Sequence, residues 1–255
     1  MQNRTLAVLV TSLLFSVCTS NVYADGLSDL KSSLARLQGS TPLKAVVEAR
    51  TWNRQGDGKD LDETSGYATV LLEENARGLQ VLYSKDTLNK LDAEERAKEK
   101  DSKAKTPTLS ALNEVNSSAL RPMIFASASL SRMMEKATFK AERAETYKGQ
   151  AARVLSFEFS TDRLSEREKK FVKKYEGTLE VWIAADGTPL ACKASQAIHA
   201  RAYMVVSFDS KTEEEWSFAV VGERLVATRK ENRNSGSGMG EKGEGKVVKT
   251  LQIQG

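Results

Sequence analysis

Residues 65–84, SGYATVLLEENARGLQVLYS, decide the fold. Two short apolar and β-branched runs, 65–74 and 79–84, are separated only by Ala76-Arg77-Gly78, a link that suits a hairpin. On the N-terminal side, residues 43–53 set Leu43, Ala45, Val47 and Ala49 in alternation with Lys44, Glu48 and Arg50. A charged turn containing Gly56, Asp57 and Gly58 then leads into 65–74. Period-two alternation with short Gly-bearing connections predicts an antiparallel meander of three strands.

Before the meander, LSDLKSSLARL at 27–37 spaces Leu27, Leu30, Leu34 and Leu37 for one face of a helix, and Gly39 supplies a stop. After it, residues 85–105 are dense in Lys, Glu and Asp, and both a solvated helix and a mobile loop fit that composition. Leu109, Leu112 and Val115 share a helical face, and Pro122 opens a second helix over 122–136 that carries Met123, Ile124, Phe125, Leu130, Met133 and Met134. This Met-rich helix reads either as ordinary core or as a lid over an apolar hollow, since methionine suits both.

The rest reads as strands: 138–148, 152–161, 175–184, 190–201, 203–208, 215–221, 225–231 and 247–253. Residues 232–245 hold five glycines and read as a long flexible hairpin loop. No linker divides the chain, so residues 25–255 are expected to form one α+β domain, an antiparallel sheet covered by helices, with 85–137 as a helical insertion or lid.

Residues 1–4 carry one positive charge, 6–17 are apolar, and Val22-Tyr23-Ala24 precedes Asp25. This is the pattern of a cleavable signal peptide over 1–24, cut after Ala24, which places the mature chain in the periplasm or outside the cell. The apolar run is too short to span a bilayer, and no later stretch reaches the roughly 20 residues required. Val17 before Cys18 is a poor match for lipoprotein processing, so Cys18 leaves with the leader. Cys192 then remains as a lone thiol, read as buried and inert.

The 38 Lys and Arg exceed the 34 Asp and Glu by little, and loss of Arg4 lowers the net charge to +3. That excludes the clustered basic footprint of a nucleic-acid binder. His199, the single histidine, shares strand parity with Lys193, Ser195 and Arg201 and is expected to face solvent. One histidine leaves no His-rich metal site. Glu213-Glu214-Glu215 lacks the ligand spacing of a calcium loop and reads as a solvated turn. The glycines of 232–245 are flanked by strands, whereas a phosphate loop requires a helix after it. No catalytic constellation, cofactor motif or metal set is present, and the chain reads as a non-enzyme.

The order of elements resembles that of the LolA/LolB-like periplasmic carriers, the lipoprotein-localisation-factor superfamily. The resemblance rests on SDLKSSLARL at 28–37, on 65–84, and on the turn Ala185-Asp186-Gly187-Thr188-Pro189. Asn75-Ala76-Arg77-Gly78 stands where those carriers commonly have Arg-Pro, and the charged segment 85–105 replaces an early Asp-Gly turn. The resemblance implies an incomplete β-barrel roofed by helices, holding a lipid or the acyl chains of a lipoprotein, with envelope proteins as further partners. Its implied lining is Val47, Ala49, Tyr67, Leu71, Val81, Leu155, Phe157, Val181 and Ile183 from the sheet, with Met123, Phe125 and Met133 from the lid. The alternative is an envelope interaction or sensor module whose cavity is filled by its own side chains.

Overall fold

A computed structural model describes residues 25–161, 164–202 and 206–254. The expected signal peptide with Cys18, and the start of the expected strand 203–208, lie outside the described residues. Among those described, the fold is α+β: six helices and one ten-stranded antiparallel sheet that does not close on itself.

The chain begins with helix α1 (Gly26–Arg36), capped by the Asp25 carboxylate, which accepts from the Leu27 N–H. Strands β1 (Leu43–Gln55), β2 (Asp62–Asn75) and β3 (Gly78–Tyr83) form the expected meander. Helices α2 (Lys85–Lys100), α3 (Pro107–Asn113), α4 (Ser117–Ile124) and α5 (Ala126–Glu135) follow. Strands β4 (Ala137–Tyr147), β5 (Gln150–Phe159), β6 (Val172–Ile183), β7 (Pro189–Ala202), β8 (Val206–Val221), β9 (Arg224–Gly238) and β10 (Glu241–Ile253) complete the sheet, with a short helix α6 (Glu166–Phe171) before β6.

The strand order is β3-β2-β1-β10-β9-β8-β7-β6-β5-β4. The chain thus starts mid-sheet, runs to one edge, crosses to the other through α2–α5, and returns strand by strand until β10 pairs with β1. Leu43, Ala45, Val47 and Ala49 of β1, Ala68, Val70 and Leu72 of β2, and Leu179, Val181 and Ile183 of β6 are buried on the inner face, under α1, α3, α4 and α5. The outer face is charged. Its centre is Glu231, which binds Arg229 and Arg233 at 2.5 Å each and Lys246 at 3.0 Å.

Three expectations are corrected and one open alternative is decided. Residues 232–245 are not a loose loop: β9 and β10 pair through Glu241–Gly238, Gly243–Gly236 and Gly245–Asn234, and turn at Met239-Gly240. Both residues of that turn have positive φ, which Gly240 adopts without strain. Glu213-Glu214-Glu215 is not a turn but the middle of β8, a single strand where two were expected. Pairing with Lys211, Lys230 and Lys193 supplies the counter-charge for the three carboxylates. Pro122 does not open a helix; it lies inside α4, whose next residues end at Ile124, and Phe125 breaks the chain before α5. A proline there removes the bond its own N–H would make to the Ser118 carbonyl and crowds that carbonyl, yet the Phe125 N–H still donates to the Arg121 carbonyl. Residues 85–100 take the helical alternative, with Ser84 as cap and only Thr87 buried.

Arg224 ties the layers together. It is 1% exposed, yet carries a full charge. Its guanidinium meets Glu74 at the end of β2 at 2.6 Å, its Nε donates to the Gly39 carbonyl, and it stacks 5.2 Å from the Phe125 ring centroid. Breaking such a pair strands a buried charge. Arg224→Ala is expected to cost about 3–5 kcal/mol in urea unfolding, while the Arg224→Met/Glu74→Leu double variant recovers most of that loss. A single-variant cost below about 1 kcal/mol overturns this assignment.

Glu231 makes the outer face sensitive to acid. Burial alone pushes its carboxyl up, but hydrogen bonds from Lys246, Arg229 and Arg233 outweigh this and hold it at about 2. Because the folded value lies below the unfolded one, its contribution is complete above about pH 4.5 and fades as pH falls toward 2. Glu231→Gln is therefore expected to be less stable than the native chain at pH 7, with the gap in urea midpoints narrowing between pH 4.5 and pH 2. A gap that stays constant over that window refutes the assignment.

Candidate ligand-binding site

The inner face is where an apolar ligand could be sheltered, and the residues singled out from sequence distribute over it unevenly. Val47, Ala49, Leu155, Phe157, Val181 and Ile183 point to the inner face and are buried, and Val81 lies there too, opposite Leu72. Tyr67 and Leu71 do not: their partners are Arg50 and Val46, so they sit on the outer face, and Tyr67 is 49% exposed. The inward residues of β2 are the smaller Gly66 and Ala68, then Val70 and Leu72. Small residues are needed here because α3 lies directly above; a Cβ on Gly66 would come within 2.3 Å of the Pro107 carbonyl oxygen. Side-chain size pointed to Tyr67, whereas helix approach selected its neighbours.

From the helices, Met123 is fully buried in α4, and Met133 of α5 is half-buried. Phe125, at the break, lies between Arg121 and Arg224, whose guanidinium carbons stand 4.9 and 5.2 Å from its ring centroid. The middle of the inner face is therefore filled: Met123, Ile124 and Leu130 pack against Val47, Leu225 and Leu251 in one continuous core. Space for a ligand remains on either flank of α5.

On one flank, α1 and α5 diverge over β4 and β5 and leave an open groove of about 490 Å³. Its walls are Leu27, Leu34 and Ala35 of α1 and Met134 of α5, and its floor is Ala137, Phe139 and Phe157. The two phenylalanine rings meet edge to face at 5.6 Å. Lys31, Gln38, Ser131 and Glu135 form the polar rim. That volume lies within the range of about 300–1,000 Å³ typical of small-molecule sites.

The groove's walls are held by polar contacts. Arg153 of β5 binds Asp29 of α1 at 2.6 Å, Glu142 of β4 accepts from the Gly26 N–H, and the buried Ser127 hydroxyl donates to the Leu34 carbonyl. Gly187, at positive φ in the β6–β7 turn, lets that turn abut Asp29. Of the residues singled out from sequence, only Phe157 lines this groove. Leu27 and Leu34 were visible as one stripe of an amphipathic helix, but nothing local told which strands they would meet.

On the other flank, a cleft of about 450 Å³ lies between Pro122, Ser129, Arg132, Met133 and Lys136 and the inner-face residues Phe159, Ala194, Gln196, Thr212, Glu214 and Trp216. Trp216 donates its indole N–H to Glu214, and Lys230 sits 4.5 Å from the Trp216 ring centroid while pairing with Glu214 at 2.9 Å. Nearby, the Lys249 ammonium is buried against Glu114; burial lowers its pKa and Glu114 opposes the shift.

His199 lies on the outer face as expected, with Nδ1 2.8 Å from Asp209, and both side chains are open to solvent. Cys192 is buried, and burial with the nearby Glu214 carboxylate pushes its thiol far up, so it is held protonated. No group of three metal-ligating side chains occurs among the described residues. No described helix is long and apolar enough to cross a membrane. No protein-family model matches the chain, and no curated protein matches it either.

Proposed function

We propose that this chain is a non-catalytic, carrier-like binder of acyl chains in the periplasm, built on the LolA/LolB-like plan. The supporting observation is the apolar groove between α1, α5 and the β4–β5 floor, walled by Leu27, Leu34, Met134, Phe139 and Phe157. An alkyl chain laid there trades water contact for hydrocarbon contact, worth about 0.8 kcal/mol per methylene, without needing directional bonds. The unclosed antiparallel sheet with helices on its inner face supports the family plan.

Displacement of a fluorescent fatty acid tests this reading. Ala35 is exposed on the groove wall, so Ala35→Trp fills the groove without disturbing the core. Displacement by palmitate is expected from the native chain, with affinity at least tenfold weaker in Ala35→Trp. Saturating palmitate that neither displaces the probe nor raises the melting temperature of the native chain refutes the reading.

A second reading, an envelope interaction module, draws support from the centre of the inner face, where Met123, Ile124 and Leu130 are fully buried within one apolar core. It expects no lipid response from the native chain and equal behaviour of Ala35→Trp in the same assay.

A further inference from the structure

The cleft on the far flank of α5 differs from the acyl groove in its electrostatics. Its apolar surface comes from Met133, Phe159 and Trp216, while Arg132 and Lys136 stand at its rim. Among the described residues, Arg132 donates to the Ser129 hydroxyl alone, at 3.4 Å. Neither Arg132 nor Lys136 has a carboxylate within ion-pair distance among the described residues. Most other cations near the inner face are matched: Lys230 binds Glu214, Lys249 binds Glu114 and Arg224 binds Glu74. Glu214, the one carboxylate facing the cleft, is already taken by Lys230 and by the Trp216 indole. The cleft therefore combines an apolar wall with two uncompensated positive charges set at its edge.

We propose that this cleft is a second site, which binds a single alkyl chain bearing an anionic head group. The chain lies against Met133, Phe159 and Trp216, and the head, a fatty-acid carboxylate or a lysophospholipid phosphate, sits between Arg132 and Lys136. A charge-assisted hydrogen bond to an anion is stronger than a neutral one, so the head group rather than chain length sets the preference here. The site extends the acyl-binding reading and rests on it for the chain, while the charge selection is its own claim.

Trp216 lines the cleft and reports on it. In the Trp52→Phe/Trp182→Phe chain, its emission is followed during titration below the micellar concentration with dodecanoate, lauroyl-lysophosphatidylglycerol and the neutral monolauroylglycerol. At least one anionic amphiphile is expected to bind about tenfold or more tightly than the neutral one, the scale of a single charge-assisted hydrogen bond. The one that does so identifies the source of the head group. Arg132→Gln/Lys136→Gln is expected to erase that preference and leave neutral binding unchanged, which also shows that the variant is folded. Ala35→Phe, which narrows the other groove without adding a second indole, is expected to leave these titrations unaltered. Equal binding of anionic and neutral amphiphiles overturns the head-group assignment while leaving the acyl reading intact. A preference that survives the double variant overturns the location, and no Trp216 response to any amphiphile removes this site, while the acyl reading stands or falls on the palmitate displacement at the other groove.

Discussion

The pairing of β10 with β1 is the constraint on which the architecture depends. Eleven residue pairs, from Ala45–Ile253 to Gln55–Gly243, join the last strand to the first in mid-sheet. Once those two are neighbours, β3 and β4 become the sheet's opposite edges, and the chain between them must travel the full width. The helices α2–α5 make this crossing, and an amphipathic helix laid across a sheet is stable only if both bury their apolar faces together. The inward positions Ala45, Val47, Ala49, Val70 and Leu72 are thus apolar because the crossover lies over them. The outer face carries Glu48, Arg50, Glu213, Glu215, Arg229 and Arg233.

A crossover fastened only by greasy contact could slide over the sheet, and Arg224 limits this. It stands where the start of β9, the link after α1, the end of β2 and the α4–α5 break all converge. Hydrophobic contact is non-directional, whereas the Nε bond to Gly39 has fixed geometry and the ion pair with Glu74 holds the head group beside it. The backbone adds to the joint, with the Gly39 N–H donating to the Glu223 carbonyl at 2.7 Å and the Leu225 N–H to Leu37. The core supplies most of the driving force, and this polar joint sets the register of helices on strands.

Much of this order was legible in sequence where one face was apolar and the other charged. β1 shows it best, with Leu43, Ala45, Val47 and Ala49 alternating against Lys44, Glu48 and Arg50. Legibility failed where alternation was absent. Val70-Leu71-Leu72 is apolar on both parities, so the inward side of β2 could be fixed only by the Ala49–Ala68 and Val47–Val70 register. Glycine-rich 232–245 and acidic 213–215 read as turns because their stabilising partners lie on other strands: Lys193, Lys230 and the β8–β9–β10 ladder. The α1 wall of the groove was visible, but its floor was not, since Leu34 and Phe139 lie more than a hundred residues apart in sequence.

The same geometry explains why open space lies beside α5 rather than beneath the helices. Strands β7–β10 have 13–16 residues and run about 40–50 Å, while α5, with ten, spans about 15 Å and α4, with eight, about 12 Å. Helices of that length cannot roof strands of that length. Beyond Trp216, Lys230 and Lys249, the described part of β8–β10 has no buried apolar side chain on its inner face; Ser210, Thr212, Asn234, Gly236 and Gly243 follow instead. The inner face therefore divides into a roofed apolar half and a bare polar half, and α5 lies at the boundary. A ligand that is part hydrocarbon and part charge matches such a boundary, because burying its chain on one side leaves its head hydrated on the other.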